Sequence, residues 1–316
     1  MEYRTLGQTG VDVSVVVLGA WQYGKAGWGE INDDESIATI QAALDGGINL
    51  IDTAVGYGSG YSEEIVGRAV AGRRDEVLLA SKCGAQPDHI RTAIDDCLKR
   101  MGLDCIDLYQ VHYPSPSIPI EDTIGAMAEI QQAGKIRWIG VSNFDLEQMG
   151  VAVETARIET CQPPFNVFWR QIDDDVLPFC VDNEIAVLPY SPLAQGLLAG
   201  KYTSTDEAPP ADDIRFHNKL FDPPIMGQCL EVVERIREIG AKYGKTVVQT
   251  ALAWTIHYPG ITAPVIGARR PSQLQENLGA TDFYLDHDEM EEISTLGWHI
   301  SQQLDFDSNM WGYAPT

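Results

Sequence analysis

"IDLYQVH", residues 106–112, is a short apolar run that stops at a polar side chain. It has the length of a buried strand, and helical patterns lie on both sides of it. Three neighbouring stretches read the same way: "NLIDTA" (49–54), "EVLLASK" (76–82) and "IRWIGVSN" (136–143). Their ends, Asp52, Lys82, His112 and Ser142, recur every 30 residues, which is the length of one strand–helix unit. The intervening segments carry helix punctuation. "DDESIATIQAALDGG" (33–47) opens on acidic residues and stops at two glycines, and "PDHIRTAIDDCLKRMG" (87–102) and "IEDTIGAMAEIQQAG" (120–134) also close on glycine.

One step back lies "LGAWQ", with Trp21 and Gln22; later runs end near Gln162, Tyr190 and Gly267. Eight strand ends in alternation with helices predict an α/β chain folded as a (β/α)8 TIM barrel. An open doubly wound sheet is the alternative, and the continuous repeat without a midpoint linker favours the barrel. "EYRTLGQTGVDVSVV" (2–16) reads as an added N-terminal β-hairpin turning at Gln8–Gly10. The stretch between Tyr190 and Gly267 is too long for one unit, so a long loop after strand seven, "GKYTSTDEAPPADDIRFHNKLFDPP", precedes helices over about 227–257. Residues 1–316 are expected to form one barrel domain.

The 316 residues carry 46 acidic and 22 basic side chains, a formal charge of −24. Such a field repels nucleic acid and anionic membranes, so neither is expected as a partner. No secretory leader or membrane span is read, and a cytoplasmic protein is expected. The six cysteines show no C-x-x-C spacing, so they are expected to be buried reduced thiols, with no metal site.

Strand ends of such a barrel face one mouth. Asp52, Lys82 and His112 would meet there, with Tyr57 five residues beyond Asp52. Singly, each has a plain structural explanation: a cap, a surface charge, a core imidazole, a packing aromatic. At matching register they read as one cluster. A lysine beside a phenol favours phenolate, so Lys82 is expected to lower the Tyr57 pKa and ease proton donation, with Asp52 holding Lys82. His112 would orient a carbonyl oxygen. The glycines of "DTAVGYGSGYSEE" (52–64) fail the G-x-G-x-x-G pattern, and there they would serve to mount Tyr57. Ser62 would cap the following helix, whose Glu63 and Glu64 supply charge at its N-terminus. A proton donor over a polarised carbonyl needs an electron-pair donor, and hydride from a nicotinamide is the obvious one.

"DTAVGYGSGYSEEIVG", "LLASK", "DLYQVHYP", "GKIRWIGVSNF", "YSPLAQGLLAGKY" and "PVIGARRPSQLQENLGA", in this order, resemble the aldo-keto reductase superfamily over residues 3 to about 295. The resemblance is greatest to the microbial general-stress and inositol-locus branch, and more distant to potassium-channel β subunits. It implies an NADPH-dependent oxidoreductase interconverting aldehydes or ketones and alcohols, with NADH the lesser cofactor. It implies Tyr57 as general acid, completed by Asp52, Lys82 and His112. It implies that Ser142, Asn143 and Gln162 hold the nicotinamide carboxamide, with Tyr190 stacked on its ring and Trp21 beside it. The segment from Ser191 through Leu193, Gln195 and Gly196 to Lys201 would wrap the pyrophosphate. Gly267, Arg269, Gln273, Glu276 and Asn277 would hold the adenosine end, with Arg269 ahead of Arg270 for a 2′-phosphate.

Trp21, Trp28 and Tyr113 are expected to line the pocket for a small carbonyl or sugar substrate, with Tyr23 and Trp169 as further candidates. The tail aromatics Trp311 and Tyr313 could fold over the mouth. A monomer is expected. Two functional readings stand: a carbonyl reductase, or a cofactor-sensing interaction protein with slow residual turnover. A hydrolase using Glu63 and Glu64 is excluded, because adjacent residues on a helix point about 100° apart.

Overall fold

The chain enters through an antiparallel hairpin, β1 (Tyr3–Thr5) and β2 (Asp12–Ser14), whose turn contains Gln8–Gly10. Eight parallel strands follow: β3 (Val17–Gly19), β4 (Leu50–Asp52), β5 (Leu78–Cys83), β6 (Ile106–Val111), β7 (Ile136–Ser142), β8 (Thr160–Gln162), β9 (Ala186–Val187) and β10 (Val265–Gly267). They pair in the order β10-β3-β4-β5-β6-β7-β8-β9. Tyr190 bridges Val265, and Val265 N–H donates to the Pro189 carbonyl at 2.8 Å, which brings the two edges together. β9 is cut short where Pro189 lacks an N–H. The computed structural model describes residues 1–25, 27, 30–211 and 213–304. Trp28, Trp311 and Tyr313, named above, lie outside the described residues.

The helices form where the sequence punctuates them. α1 (Asp33–Asp45) is capped by Asn32, whose side chain accepts from Glu35 N–H. α2 (Tyr61–Ala69) follows the Tyr57 loop. α3 (Pro87–Met101) starts on proline and ends at Gly102 in the left-handed region. α4 (Ile120–Gln132) and α5 (Leu146–Thr155) come next, the latter with a capping box between Asp145 and Gln148. After α6 (Val176–Asp182), the long segment beyond β9 runs through short 3-10 turns into α7 (Pro223–Lys242) and α8 (Val247–His257). α9 (Pro271–Leu278) and α10 (His287–Ser301) complete the outer layer. No helix among the described residues is long and apolar enough to cross a membrane.

Two apolar layers hold this arrangement. The larger lies between strands and helices. The smaller fills the barrel interior: Leu50, Ala80, Leu108, Ala186 and Val265, plugged from below by Leu6 and Val13 of the hairpin segment. Arg4 fastens that plug by donating to the carbonyls of Ile256 and Ile261 at 2.7 and 2.9 Å. Side chains alternate along a strand. Two residues above Leu50, Ala80 and Leu108 stand Asp52, Lys82 and Gln110, so the apolar floor carries a polar storey that opens at the strand ends.

Candidate active site

Lys82 is fully buried, and its ammonium donates to three acceptors, as many as it has hydrogens. They are Asp52 Oδ2 at 2.5 Å, the Thr53 carbonyl at 3.1 Å and Tyr57 Oη at 3.1 Å. The phenol oxygen therefore accepts from Lys82 and keeps its own hydrogen for another partner. Tyr57 reaches this point from a tight loop. Gly58 has φ +67°, and a Cβ there would lie 2.1 Å from the Gly24 carbonyl oxygen, so only glycine fits.

The phenol's acidity runs opposite to the expected direction. Burial, and then the Asp52 charge, push the Tyr57 pKa well above 10. Those two effects set the direction, although the Lys82 ammonium donates to the phenol oxygen. Burial also lowers the Lys82 pKa against the pull of Asp52. The site thus holds a protonated phenol over an ion pair.

His112 lies edge-on to Tyr57, with ring centroids 5.8 Å apart, and burial followed by the Lys82 charge lowers its pKa to about 3. It is neutral at ordinary pH and can donate a hydrogen bond without giving up a proton. Trp21 stacks on the other side of Tyr57 at 5.9 Å, and Tyr113 packs on His112 at 4.9 Å. The four rings form a row across the mouth. Asn143, left-handed at φ +61°, ties it to the neighbouring strand ends. Its amide donates to the His112 carbonyl at 2.9 Å and to Ser142 Oγ at 3.0 Å, and its oxygen accepts from Tyr190 Oη at 2.8 Å. Ser142 Oγ also donates to the Gln162 carbonyl at 2.7 Å. Ser142, Asn143, Gln162 and Tyr190 are thereby brought together beside the row.

Beyond Tyr190 the backbone is strained: Ser191, Ala194 and Gln195 have φ of +54°, +47° and +53°, and Gly196 follows at +97°. The turn is closed by its own backbone, with Ala194 N–H donating to the Ser191 carbonyl and Gly196 N–H to the Leu193 carbonyl, each at 2.9 Å. Lys201, at its end, lies over the Tyr202 ring at 4.8 Å, and Arg215 Nη1 donates to Tyr202 Oη at 3.1 Å. Burial lowers the pKa of Lys201 and of Arg269, and the neighbouring Arg215 adds to both shifts. Cations thus gather here in a chain of strongly negative charge. α9 begins at this place on Pro271 with no side chain capping it; Gln273 N–H donates to the Arg270 carbonyl at 3.1 Å, and the positive end of the helix lies at this turn. Gln273 Oε1 accepts from Arg269 N–H at 2.8 Å and Asn277 Nδ2 donates to the Gly267 carbonyl at 3.1 Å; both therefore shape the turn itself. Arg269 is half-buried and Arg270 exposed. An extended dianionic or trianionic nucleotide fits this strip. Leu193 and Glu276 flank it, half-buried and exposed respectively.

Several expectations are corrected. Tyr23 does not line the pocket: it is fully buried, and its hydroxyl donates to the Ala268 carbonyl at 2.8 Å. Trp169 is fully buried and lines a small cavity with Asn143, Pro163 and Gln171 behind the strand ends. Ser62 is not a cap; the cap position is Gly60, and Ser62 Oγ donates to the Ala20 carbonyl at 2.7 Å, joining two strand ends. Glu63 is a buried ion-pair partner of Arg100 at 2.5 Å that also accepts from Ser81, not a solvated helix-end charge. Five of the six cysteines are buried and Cys105 is half-buried; all are free thiols. Gln110 escaped the sequence reading altogether. Its Nε2 donates to Asp52 Oδ1 at 3.0 Å, as does Gln162 Nε2 at 3.0 Å. Strand alternation, two residues below His112, was the signal for it.

Residues 15–297 match the Aldo/keto reductase family. The chain is 41% identical to "Aldo-keto reductase YhdN" of Bacillus subtilis (strain 168), covering 94% of this chain and 93% of that one. It is 33% identical to the "NADH-specific methylglyoxal reductase" of Escherichia coli (strain K12), covering 90% and 95%. Among solved structures it resembles the glycerol dehydrogenase AKR11B4 from Gluconobacter oxydans at TM-score 0.88, 35% identity and 96% and 97% coverage. An aldo-keto reductase from Klebsiella pneumoniae in complex with NADPH aligns at TM-score 0.76, 30% identity and 94% and 95% coverage.

Proposed function

The chain belongs to the aldo/keto reductase family of nicotinamide-dependent oxidoreductases, and on that premise we propose that it reduces small aldehydes and ketones with NADPH, Tyr57 delivering the proton. The observation that carries this reading is the Lys82 ammonium, which donates to Tyr57 Oη and leaves the phenol hydrogen free for a substrate oxygen. The cofactor supplies a hydride when bound. The carbonyl carbon gains that hydride, the C=O π pair becomes the new O–H bond, and Tyr57 gives the proton. Neutral His112 donates a second hydrogen bond to the same oxygen and sets its approach. Solvent then returns a proton to Tyr57.

Ser142, Asn143 and Gln162, linked to one another and to Tyr190 by hydrogen bonds, would hold the nicotinamide carboxamide, with the Tyr190 ring stacked on the nicotinamide. Backbone groups of Ser191, Leu193, Gln195 and Gly196, with Lys201, suit a pyrophosphate. Arg269 and the open end of α9 suit a 2′-phosphate, with Gly267, Gln273, Glu276 and Asn277 about the adenosine. Trp21 and Tyr113 wall the substrate side, which favours a compact carbonyl compound or its alcohol. The glycerol and methylglyoxal named for two relatives are of that size. The test is a panel of aldehydes, ketones and polyols with NADPH and NADH in both directions. Turnover of small carbonyls faster with NADPH supports the reading; equal or faster turnover with NADH removes the cofactor assignment, and no turnover of any carbonyl removes the activity.

A further inference from the structure

We propose that Gln110 is a positioning residue: with Gln162 it fixes the Asp52 carboxylate so that Asp52 aims Lys82 at Tyr57. The inference rests on the reading of Tyr57 as proton donor. Asp52 is 3% exposed and its two oxygens are divided. Oδ2 takes Lys82, and Oδ1 takes the amides of Gln110 and Gln162, each at 3.0 Å. Gln162 is also proposed to meet the cofactor, which leaves Gln110 as the donor with no other task.

The barrel is built to admit this amide. Gln110 is fully buried, directly above the apolar Leu108 in its own strand. An amide in that place costs free energy unless it is hydrogen-bonded, whereas leucine or methionine would pack on the floor without that cost. Lys82, Gln110, Gly140 and Thr160 are paired across β5, β6, β7 and β8. A Cβ on Gly140 would lie 2.9 Å from Gln110 Cγ and 2.2 Å from Thr160 Oγ1, so glycine at that register makes the room. Thr160 Oγ1 donates to Gln110 Oε1 at 3.4 Å, which turns the amide's NH2 toward Asp52. The relay is then Gln110 to Asp52 to Lys82 to Tyr57, three hydrogen bonds at the barrel's top that run from buried Gln110 to half-buried Tyr57.

The experiment compares kcat and NADPH affinity, across pH, for the wild type, Q110M, Q110E and Y57F. Q110M keeps the side chain's length and removes the donor. Its kcat falls about 10- to 100-fold, the loss of one hydrogen bond to a charged group. NADPH affinity by fluorescence quenching stays unchanged. In Q110E the introduced carboxyl donates only while protonated, so activity declines with rising pH where the wild type is level, a signature that a space-filling role would not give. If Q110M keeps wild-type kcat, the role of Gln110 is overturned; should Q110M not fold, a pH profile of Q110E superimposable on the wild type overturns it equally. Y57F separates the two readings: if Y57F is inactive while the Gln110 variants behave as wild type, only this inference fails, and if Y57F turns over normally, the reading beneath it fails.

Discussion

Lys82 Nζ donates to Tyr57 Oη across 3.1 Å while the Tyr57 phenol stays protonated, its pKa raised by burial and by Asp52. The lysine therefore acts as a fixed donor that orients a phenol, rather than as a charge that ionises it. Y57F keeps the ring that stacks on Trp21 but loses the transferable proton. The expected outcome is a fall in kcat of about 10²–10⁴-fold, with NADPH binding by fluorescence quenching within twofold of wild type. Equal loss of cofactor binding would mean that the ring, not the proton, is what the variant removed.

The Asp52–Lys82 pair is buried on both sides, at 3% and 0% exposure. Removing one partner strands the other charge. K82M is expected to lower stability by about 3–5 kcal/mol in urea unfolding and to abolish turnover. The double variant D52N/K82M recovers most of that stability without recovering activity. A double variant no more stable than K82M would show that the cost lies in packing rather than in charge.

His112 sets a pH dependence of its own. Its pKa is about 3 in the folded chain, against an ordinary value near 6.5. Between those values the unfolded chain binds more protons, so stability is full above about pH 6.5 and declines as pH falls toward 3. Urea unfolding at pH 7.5 and pH 5 should differ by about 1–2 kcal/mol more in the wild type than in H112Q. The reduction rate itself should show no inflection between pH 6 and 7, because His112 is neutral throughout that window. An inflection there that disappears in H112Q would place its titration in the working range and contradict the neutral-donor role.

The barrel was legible because its strand ends recur with the chain's own period, and a cluster at those ends shows in sequence as Asp52, Lys82 and His112 at equal spacing. What lies deeper was not. Gln110 is read in the same strand as His112, but its partner is Asp52, two strands away, and only the register brings them together. The direction of the Tyr57 shift depends on how far the hydroxyl is sunk beside the Asp52 charge, which no spacing encodes. Ser62 has the residue type of a cap, yet the carbonyl of Ala20 claims its hydroxyl. Tyr23, two residues from Trp21, turns inward to Ala268 instead of toward the pocket.

Gly58 joins the Tyr57 loop to the loop after β3 with no room between them, since an added Cβ would meet the Gly24 oxygen at 2.1 Å and its φ is +67°. G58A is expected to cost about 1–3 kcal/mol and to displace Tyr57 from Lys82. Thermal unfolding and kcat should fall together, while NADPH affinity, set on the far side of the mouth, stays near wild type. A stable G58A with reduced NADPH affinity would assign this loop to the cofactor instead.

Arg269 is half-buried between β10 and α9, near Lys201 and Arg215, and Arg270 beside it is exposed. If Arg269 meets a 2′-phosphate, it contributes only where that phosphate exists. R269L should weaken NADPH binding by about 10- to 100-fold and leave NADH nearly unchanged, the loss of a charge-assisted hydrogen bond. R270L should change either by less than about threefold, the effect of an exposed charge. Raising salt should weaken NADPH more than NADH in the wild type and lose that difference in R269L. Equal weakening of both cofactors would move Arg269 to the pyrophosphate. The discrimination between NADPH and NADH would then lie with Lys201 or Arg215, and the same titration on K201M and R215L would tell which.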